Sequence, residues 1–267
     1  EAFAIAVSGR PGPVLIDVPR DVQTGCCEFE EWPNIADVKI PEVRFHTPKD
    51  EYCEKLEKIV VALVNAKKPV LYLGGGCNTP AAADSIRKFI KHYRLPVVSS
   101  LMGLGCVPES SELFAGMVGM HGAYAANVAM HDADVVMAAG VRFDDRATGV
   151  VEKFCPHAKI IHIDVDAAEV NKILPAAISV VADVESYFPM LSEYVSEEQE
   201  KFAAAWQQAE ARAEWVEKIR SIKKENTSVE CGRVKNAETQ NPRAFIASIP
   251  ELAEKAGTAK SKLLVTT

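Results

Sequence analysis

The sequence predicts an α/β protein built on a doubly wound parallel sheet. Short apolar runs alternate along the chain with longer segments whose apolar residues recur at helical spacing. The short runs are apolar at nearly every position, which is typical of strands that are covered on both faces. Most of these runs end in glycine, hydroxyl or charged residues, which mark turns.

Each element follows from local signals. Residues 14–18 ("VLIDV") lie between "GRPGP" and "PRD" and are predicted as a strand, and a Pro- and charge-rich passage follows to residue 50. Helical periodicity begins at Glu51. A second helix has Asn78 or Thr79 as its N-cap and Pro80 in its first turn. Further helices are expected at residues 121–133, from Ala167 and after Asp183. Strands are expected at residues 69–76, 96–105, 134–140, 158–166 and 178–183.

The last third of the chain is predicted to be mainly helical. Residues 196–225 are amphipathic and charged, and Trp206 and Trp215 are expected to dock this helix on a neighbour. Residues 226–240 are predicted as a loop. Residues 241–257 are predicted as a helix, and a strand is expected at residues 262–267.

The composition excludes several classes of protein. The net charge is −7, with 37 acidic against 30 basic residues, which argues against nucleic acid or an anionic membrane as the main partner. The seven cysteines include no CxxC pair, and we expect them to be reduced. No apolar run reaches membrane-spanning length. The sequence lacks an initiator methionine and stops within a predicted strand, so we expect a fragment of a longer chain.

A dense block of opposite charges directly follows one apolar run, in "AAGVRFDDRATG" (residues 138–149). In open α/β sheets, ligands bind beyond the carboxyl ends of the strands. The other strand ends carry residues 74–76, residues 99–103, Asp164 and Asp183. Glycines and a fixed arginine suit phosphate, and Asp164 could accept hydrogen bonds from ribose. A nucleotide site is therefore favoured over plain tight turns.

The stretch "VGMHGAYAA" leaves two interpretations open. Met120 and His121 lie between Gly119 and Gly122 at the start of a predicted helix. The stretch is either ordinary core filling with a helix-start histidine or a loop that passes close to a flat ring system.

Four motifs together resemble the catalytic (large) subunit of the acetolactate synthase (acetohydroxyacid synthase) family of thiamine-diphosphate enzymes. They are "GRPGPVLIDVPRDVQ", "GMVGMHGAYAAN", "GVRFDDRATG" and "KIIHIDVDAAEVNK". The resemblance implies three α/β domains, of which this chain holds part. Residues 1–45 would end the pyrimidine-binding domain, residues 46–195 would form the central FAD-binding domain, residues 196–240 would be a helical linker, and residues 241–267 would begin the pyrophosphate-binding domain.

The resemblance also implies roles for individual residues. Arg20 stands where many members carry lysine, and Asp164 stands where some carry glutamate. The substrate channel would include Arg20, Met120, Asp145 and Arg146. The FAD-binding residues would be Arg10, Gly74, Gly75, Gly76, Ser100, Leu101, Met102, Val118, Gly119, Met120, His121, Gly122, Gly140, Val141, Arg142, Asp144, Arg146, Asp164, Val165 and Asp183.

The implied activity is condensation of two pyruvates, or of pyruvate and 2-oxobutyrate, with loss of CO₂. The family's catalytic glutamate would lie upstream, and its Mg²⁺ and diphosphate segment downstream, so this chain holds neither catalytic nor metal residues and would be inactive alone. Thiamine diphosphate and Mg²⁺ would bind the full-length protein. That protein would be a homo-oligomer that acts on small 2-ketoacids, with a regulatory small subunit as a further partner. It would be cytoplasmic in bacteria, and in a plastid or mitochondrion in eukaryotes.

Two other functions stay open at the level of sequence. One is a related thiamine-diphosphate enzyme such as pyruvate oxidase or glyoxylate carboligase, against which "RFDDRATG" combined with "GMHG" argues. The other is a stand-alone nucleotide-binding module without catalysis, which fits poorly with the expectation of a fragment.

Overall fold

The computed structural model describes residues 1–28, 30, 31, 34, 49–197, 209–230, 245, 246, 248, 249 and 252. Within these residues, six parallel strands form one sheet in the order β3-β2-β1-β4-β5-β6. This is the doubly wound order, in which the chain winds outward from the centre in both directions. The predicted fold class is confirmed. The strands are β1 (Pro69–Leu73), β2 (Val97–Ser99), β3 (Phe114–Met117), β4 (Val135–Ala139), β5 (Lys159–Asp164) and β6 (Ile178–Val181).

The helices begin and end where the local sequence favours it. In the helix after β1, the Thr79 hydroxyl accepts a hydrogen bond from the Ala82 amide, and Pro80 occupies the first position. Thr79 is therefore the N-cap. The helices are α1 (Ala2–Val7), α2 (Arg20–Thr24), α3 (Lys49–Asn65), α4 (Pro80–Tyr93), α5 (Tyr124–Asp132), α6 (Asp145–Thr148), α7 (Val184–Glu197) and α8 (Ala209–Glu230).

Helices cover both faces of the sheet and create two apolar cores. In β1, Leu71 and Leu73 face the core that contains side chains of α3, α4 and α7. Val70 and Tyr72 face the opposite core, which contains side chains of α5 and α8. Every residue of β1 and β4 is buried, which explains why these strands read as continuous apolar runs. Each large apolar side chain buried in this way stabilises the fold by about 1.5–3 kcal/mol.

A buried arginine and a buried tryptophan anchor α8. Nη2 of Arg212 donates to the carbonyl oxygens of Leu63 and Val64 in the last turn of α3, at 2.7 and 2.8 Å. Nε1 of Trp215 donates to the Pro69 carbonyl oxygen at 3.2 Å, at the start of β1. The docking role predicted for Trp215 is confirmed, whereas Trp206 lies outside the described residues.

Two elements predicted from the sequence are wrong. Residues 14–18 pair with no strand among the described residues, and Leu15 is 92% exposed, because a strand needs a hydrogen-bonded neighbour that these residues lack here. The short helix expected from Ala167 is a series of turns. Asn171 has a positive φ of 60° there, and such a conformation cannot continue a right-handed helix.

The sequence analysis did not predict α1, α2, α6 or β3, and it ended the helix that contains α8 too early. β3 is a four-residue edge strand that contains Gly116, so its sequence carries a weak strand signal. α8 continues to Glu230, although residues 226–240 were predicted as a loop. The predicted strand at residues 262–267 lies outside the described residues.

The sheet and its covering helices occupy a continuous stretch of chain, from α3 through α7, and α8 returns to pack against α5. The predicted division at residues 45, 195 and 240 stays a prediction. Among the described residues, no helix is long and apolar enough to cross a bilayer.

The anchoring of α8 can be tested by replacing Arg212 with methionine. The variant keeps an apolar stem but loses two charge-assisted hydrogen bonds, so the free energy of unfolding should fall by about 1.5–3 kcal/mol. Urea unfolding followed by circular dichroism measures this change. Arg220→Met alters an exposed arginine of the same helix and should stay within about 0.5 kcal/mol of the parent. Equal stability of the two variants would contradict the anchoring role.

Candidate functional site

The carboxyl ends of β1 and β4 lie side by side at the centre of the sheet. At this point the chain winds in opposite directions, and open α/β sheets form a ligand crevice there. β1 is followed directly by Gly74, and β4 is followed directly by Gly140. The crevice is therefore built around two glycine turns that the sequence analysis had placed at separate strand ends.

These two turns pack backbone against backbone. The Gly74 amide donates to the Ala139 carbonyl oxygen at 2.9 Å, and the Gly76 amide donates to the Gly140 carbonyl oxygen at 3.1 Å. A Cβ atom on Gly74 would lie 2.0 Å from the Gly140 carbonyl oxygen. Gly140 itself has a φ of 55°, which favours glycine. Glycine at these positions therefore allows the two turns to pack against each other. The sequence analysis did not predict this contact.

The turn after β2 joins the same crevice. Ser100 donates its amide to the Leu73 carbonyl oxygen at 2.9 Å, and a short 3₁₀ turn follows at Leu101–Gly103. The side-chain amide of Asn78 donates to the Met102 carbonyl oxygen at 3.1 Å. A Cβ atom on Gly75 would lie 3.2 Å from the Met102 Cβ. The side chains of Leu101 and Met102 are thus held at the crevice while remaining mostly exposed.

The loop of residues 118–122 is tied to the charged block. The Met120 amide donates to the Arg146 carbonyl oxygen at 3.1 Å. Gly119 has a φ of 117°, and a Cβ atom there would lie 2.6 Å from the same oxygen. Val118 is buried, whereas Met120 is 65% exposed. His121 is also exposed, and the Gly122 amide closes the turn on the Gly119 carbonyl oxygen at 2.9 Å.

The charged block, residues 141–146, begins with alternating buried and exposed side chains and ends with three exposed ones. Val141 and Phe143 are buried, and Arg142 between them is about half exposed. The Asp144 carboxylate caps α6 by accepting from the Ala147 amide at 3.3 Å. The ion pairs inside the block, from Arg142 to Asp144 and from Arg146 to Asp145, are both 3.9 Å long and exposed. Such pairs contribute little, so the carboxylates alone do not fix the arginines.

Carboxylates follow β5 and β6, as the sequence analysis predicted. Asp164 is only 6% exposed, and burial raises the pKa of its carboxyl above the usual range, although the Asp166 amide hydrogen bond opposes this. Val165 beside it is half-buried. The exposed Asp183 accepts from the Glu185 amide at 2.8 Å and so begins α7.

The two predicted arginines of the first segment differ in placement. Arg10 reaches the end of β5, where its Nη1 lies 3.6 Å from Asp166 and 3.7 Å from Glu169. Arg20 begins α2 and is exposed. Within the described part of the chain, no hydrogen bond or ion pair joins Arg20 to the strand-end residues.

Three residues support the crevice and were missed by the sequence analysis. Asn127 holds Gly119 by two hydrogen bonds, from the Gly119 amide at 2.9 Å and to its carbonyl oxygen at 3.0 Å. His162 is buried in β5 and contacts the Val141 carbonyl oxygen at 3.0 Å. Asn78 holds the turn after β2. For Asn127 and His162 the available signal was a single polar residue among apolar ones, which does not distinguish support from ordinary core packing.

The loops at the switch point present three kinds of surface. Leu101, Met102 and Met120 supply exposed apolar surface for a flat ring. The exposed guanidinium groups of Arg142 and Arg146 suit phosphate oxygens. Carboxylates at the ends of β5 and β6 can accept hydrogen bonds from hydroxyls. Among the described residues, no group of three or more His, Cys, Asp or Glu side chains is placed to hold a metal ion.

The fold is that of an open parallel α/β domain, and such domains bind ligands at the switch point where these loops meet. The sequence model of the thiamine pyrophosphate enzyme central domain matches residues 56–191. The chain belongs to this family.

Three similar proteins are acetolactate synthases. The large subunit from Haemophilus influenzae is 40% identical over 214 residues, which is 78% of this chain and 36% of that protein. The large subunit from Corynebacterium glutamicum is 42% identical over 224 residues, covering 84% and 34%. Acetolactate synthase 2, chloroplastic, from Nicotiana tabacum is 42% identical over 211 residues, covering 78% and 31%. The chain thus spans about a third of the length of these relatives.

The contact between the glycine turns predicts the effect of Gly74→Ala. The added methyl group would overlap the Gly140 carbonyl oxygen, so the turns must separate, and we expect a loss of about 2–4 kcal/mol in the free energy of unfolding. Thermal unfolding measures this. Gly12→Ala is the matched control because a Cβ atom there meets nothing within 4 Å. An unchanged melting temperature for Gly74→Ala would show that the turns are not packed as described.

Proposed function

We propose that this chain is the FAD-holding and channel-shaping part of an acetolactate synthase catalytic subunit. The observation that carries the proposal is the 40–42% identity to acetolactate synthases across about four-fifths of the chain. The crevice at the switch point supports it, since its surfaces suit a flavin dinucleotide. Because the chain spans about a third of its relatives, the activity is proposed for a protein of their full length.

The proposed FAD site uses the turns that meet at the crevice. Arg142 and Arg146 bind phosphate oxygens, and the exposed side chains of Leu101, Met102 and Met120 contact the flat ring system. Asp164, Val165 and Asp183 serve the adenosine end. The turns at residues 74–76 and 118–122, with Gly140, bring the backbone close to the cofactor. Arg10 contributes from the first segment, beside Asp166 and Glu169.

The proposed reaction joins two molecules of pyruvate, or pyruvate and 2-oxobutyrate, with loss of CO₂. Thiamine diphosphate, held with Mg²⁺ by parts outside this chain, supplies the carbanion chemistry that this reaction needs. This chain contributes the channel mouth, where Arg20, Met120, Asp145 and Arg146 meet the ketoacid. The arginines attract its carboxylate, and Met120 gives an apolar wall that excludes water.

Partners and compartment follow from the same proposal. Two of the three relatives are named large subunits, so we propose a regulatory small subunit as a partner, in addition to self-association. In a bacterium the protein would work in the cytoplasm. In a plant it would work in a plastid, as the chloroplastic relative from Nicotiana tabacum does.

The activity is tested on a full-length protein that contains this chain. Acetolactate formed from pyruvate is measured with thiamine diphosphate and Mg²⁺, with and without FAD, after removal of bound flavin. We expect activity that requires FAD. Flavin binding without acetolactate formation would instead favour the oxidase or carboligase activities, and no flavin binding would refute the proposed site.

The role of Arg142 is tested separately by FAD titration of Arg142→Gln. Loss of a charge-assisted contact to phosphate costs about 1.5–3 kcal/mol, so the dissociation constant should rise by roughly 10- to 100-fold. Arg220→Gln removes an arginine of similar exposure on α8 and should leave FAD binding unchanged. Equal affinities in both variants would exclude Arg142 from the cofactor site.

A further inference from the structure

His162 is a polar side chain in the buried interior of the sheet. It is fully buried in β5, opposite Ala138 of β4. Its Nε2 lies 3.0 Å from the Val141 carbonyl oxygen. A carbonyl oxygen can only accept, so Nε2 carries the proton and donates it to Val141. The Asp164 carboxylate, 4.0 Å from the same nitrogen, favours this tautomer further.

The imidazole ring also contacts the charged block at a second point. The ring centroids of His162 and Phe143 are 5.1 Å apart, with the planes tilted by 69°. Phe143 is buried and also packs near Tyr72, with ring centroids 6.0 Å apart. Val141 and Phe143 are the two neighbours of Arg142 in the chain. One buried side chain therefore holds both residues that flank the exposed arginine.

The ion pair that Arg142 makes at the surface is a weaker restraint. The pair between Arg142 and Asp144 is 3.9 Å long, and both side chains are about half exposed. Exposed pairs of this length contribute little to order. The buried residues Val141 and Phe143, on either side of Arg142 in the chain, therefore restrain its backbone more strongly than this ion pair does.

We propose that His162 is a positioning residue for Arg142, acting through the hydrogen bond to Val141 and the ring contact with Phe143. This inference rests on the proposed function, because Arg142 is the residue assigned there to cofactor phosphate. His162 touches no reacting group. It fixes the backbone from which Arg142 extends, so that the guanidinium is already in place when a phosphate arrives.

The hydrogen bond is tested with variants that replace one ring nitrogen at a time. His162→Gln can place an amide nitrogen near the position of Nε2, whereas His162→Asn can reach only the position of Nδ1. His162→Phe keeps the ring contact and loses the donor. Hydrogen–deuterium exchange of the backbone amides of residues 142–149 is followed by mass spectrometry in flavin-free protein. We expect exchange about five- to tenfold faster in the Asn and Phe variants, and near the parent rate in the Gln variant.

A second measurement links the loop to cofactor binding. The FAD dissociation constant should rise by a similar factor in the Asn and Phe variants and recover in the Gln variant. Ile161→Val is the control: it trims a buried side chain on the opposite face of the same strand. This variant should lower the melting temperature slightly without a selective change in exchange of residues 142–149.

The outcomes of the exchange and FAD measurements test the role of His162 as follows. Equal exchange in all His162 variants, or rescue by Asn but not by Gln, would overturn the positioning role. If the parent protein binds no FAD, the proposed function fails, and the exchange pattern still decides whether His162 fixes the block. If exchange follows the prediction but FAD affinity stays constant, His162 orders the loop without positioning Arg142 for the cofactor, and the proposal is wrong.

Discussion

The close approach of Gly74 and Gly76 to Gly140 is the contact on which the crevice depends. It joins the turn after β1 to the turn after β4 at the switch point of the sheet, and it leaves no room for a side chain at either surface. The other loops contact these turns or one another. The turn that carries Met102 meets Gly75, and the loop that carries Met120 meets the charged block through Arg146. A few backbone contacts thus bring several loops together around the switch point.

The fold could be predicted because burial on both faces leaves a plain record in the sequence. β1 and β4 are apolar throughout, and the capping signals around Pro80 predict the start of α4 to within one residue. The failures have physical causes. Residues 14–18 have the composition of a strand, but strand formation depends on a hydrogen-bonded neighbour, which composition cannot reveal. β3 lies at the sheet edge and contains Gly116, so it has little apolar pattern of its own.

The candidate site was predictable as a set of strand ends, but the contacts among them were not. Parallel strands bring their carboxyl ends to one edge, so Gly74, Gly140 and Asp164 could be grouped from the order of elements alone. The pairing of Asn127 with Gly119 depends on where α5 lies against the loop, which no local pattern encodes. The two arginines and two aspartates of residues 142–146 are close enough in the sequence to pair with one another. The structure shows long, exposed pairs and a buried histidine beneath them.

Buried groups that hold the backbone also matter because the exposed arginines lie on an acidic protein. The chain carries a net charge of −7, and Arg142 and Arg146 have carboxylates as close neighbours. A freely moving arginine in such surroundings would pair transiently with these carboxylates and lose side-chain entropy on binding a phosphate. When buried neighbours fix the backbone on both sides of Arg142, fewer arrangements remain to be lost. In this proposal the buried groups determine where the exposed charges act, and the weak surface pairs leave these charges available to a ligand.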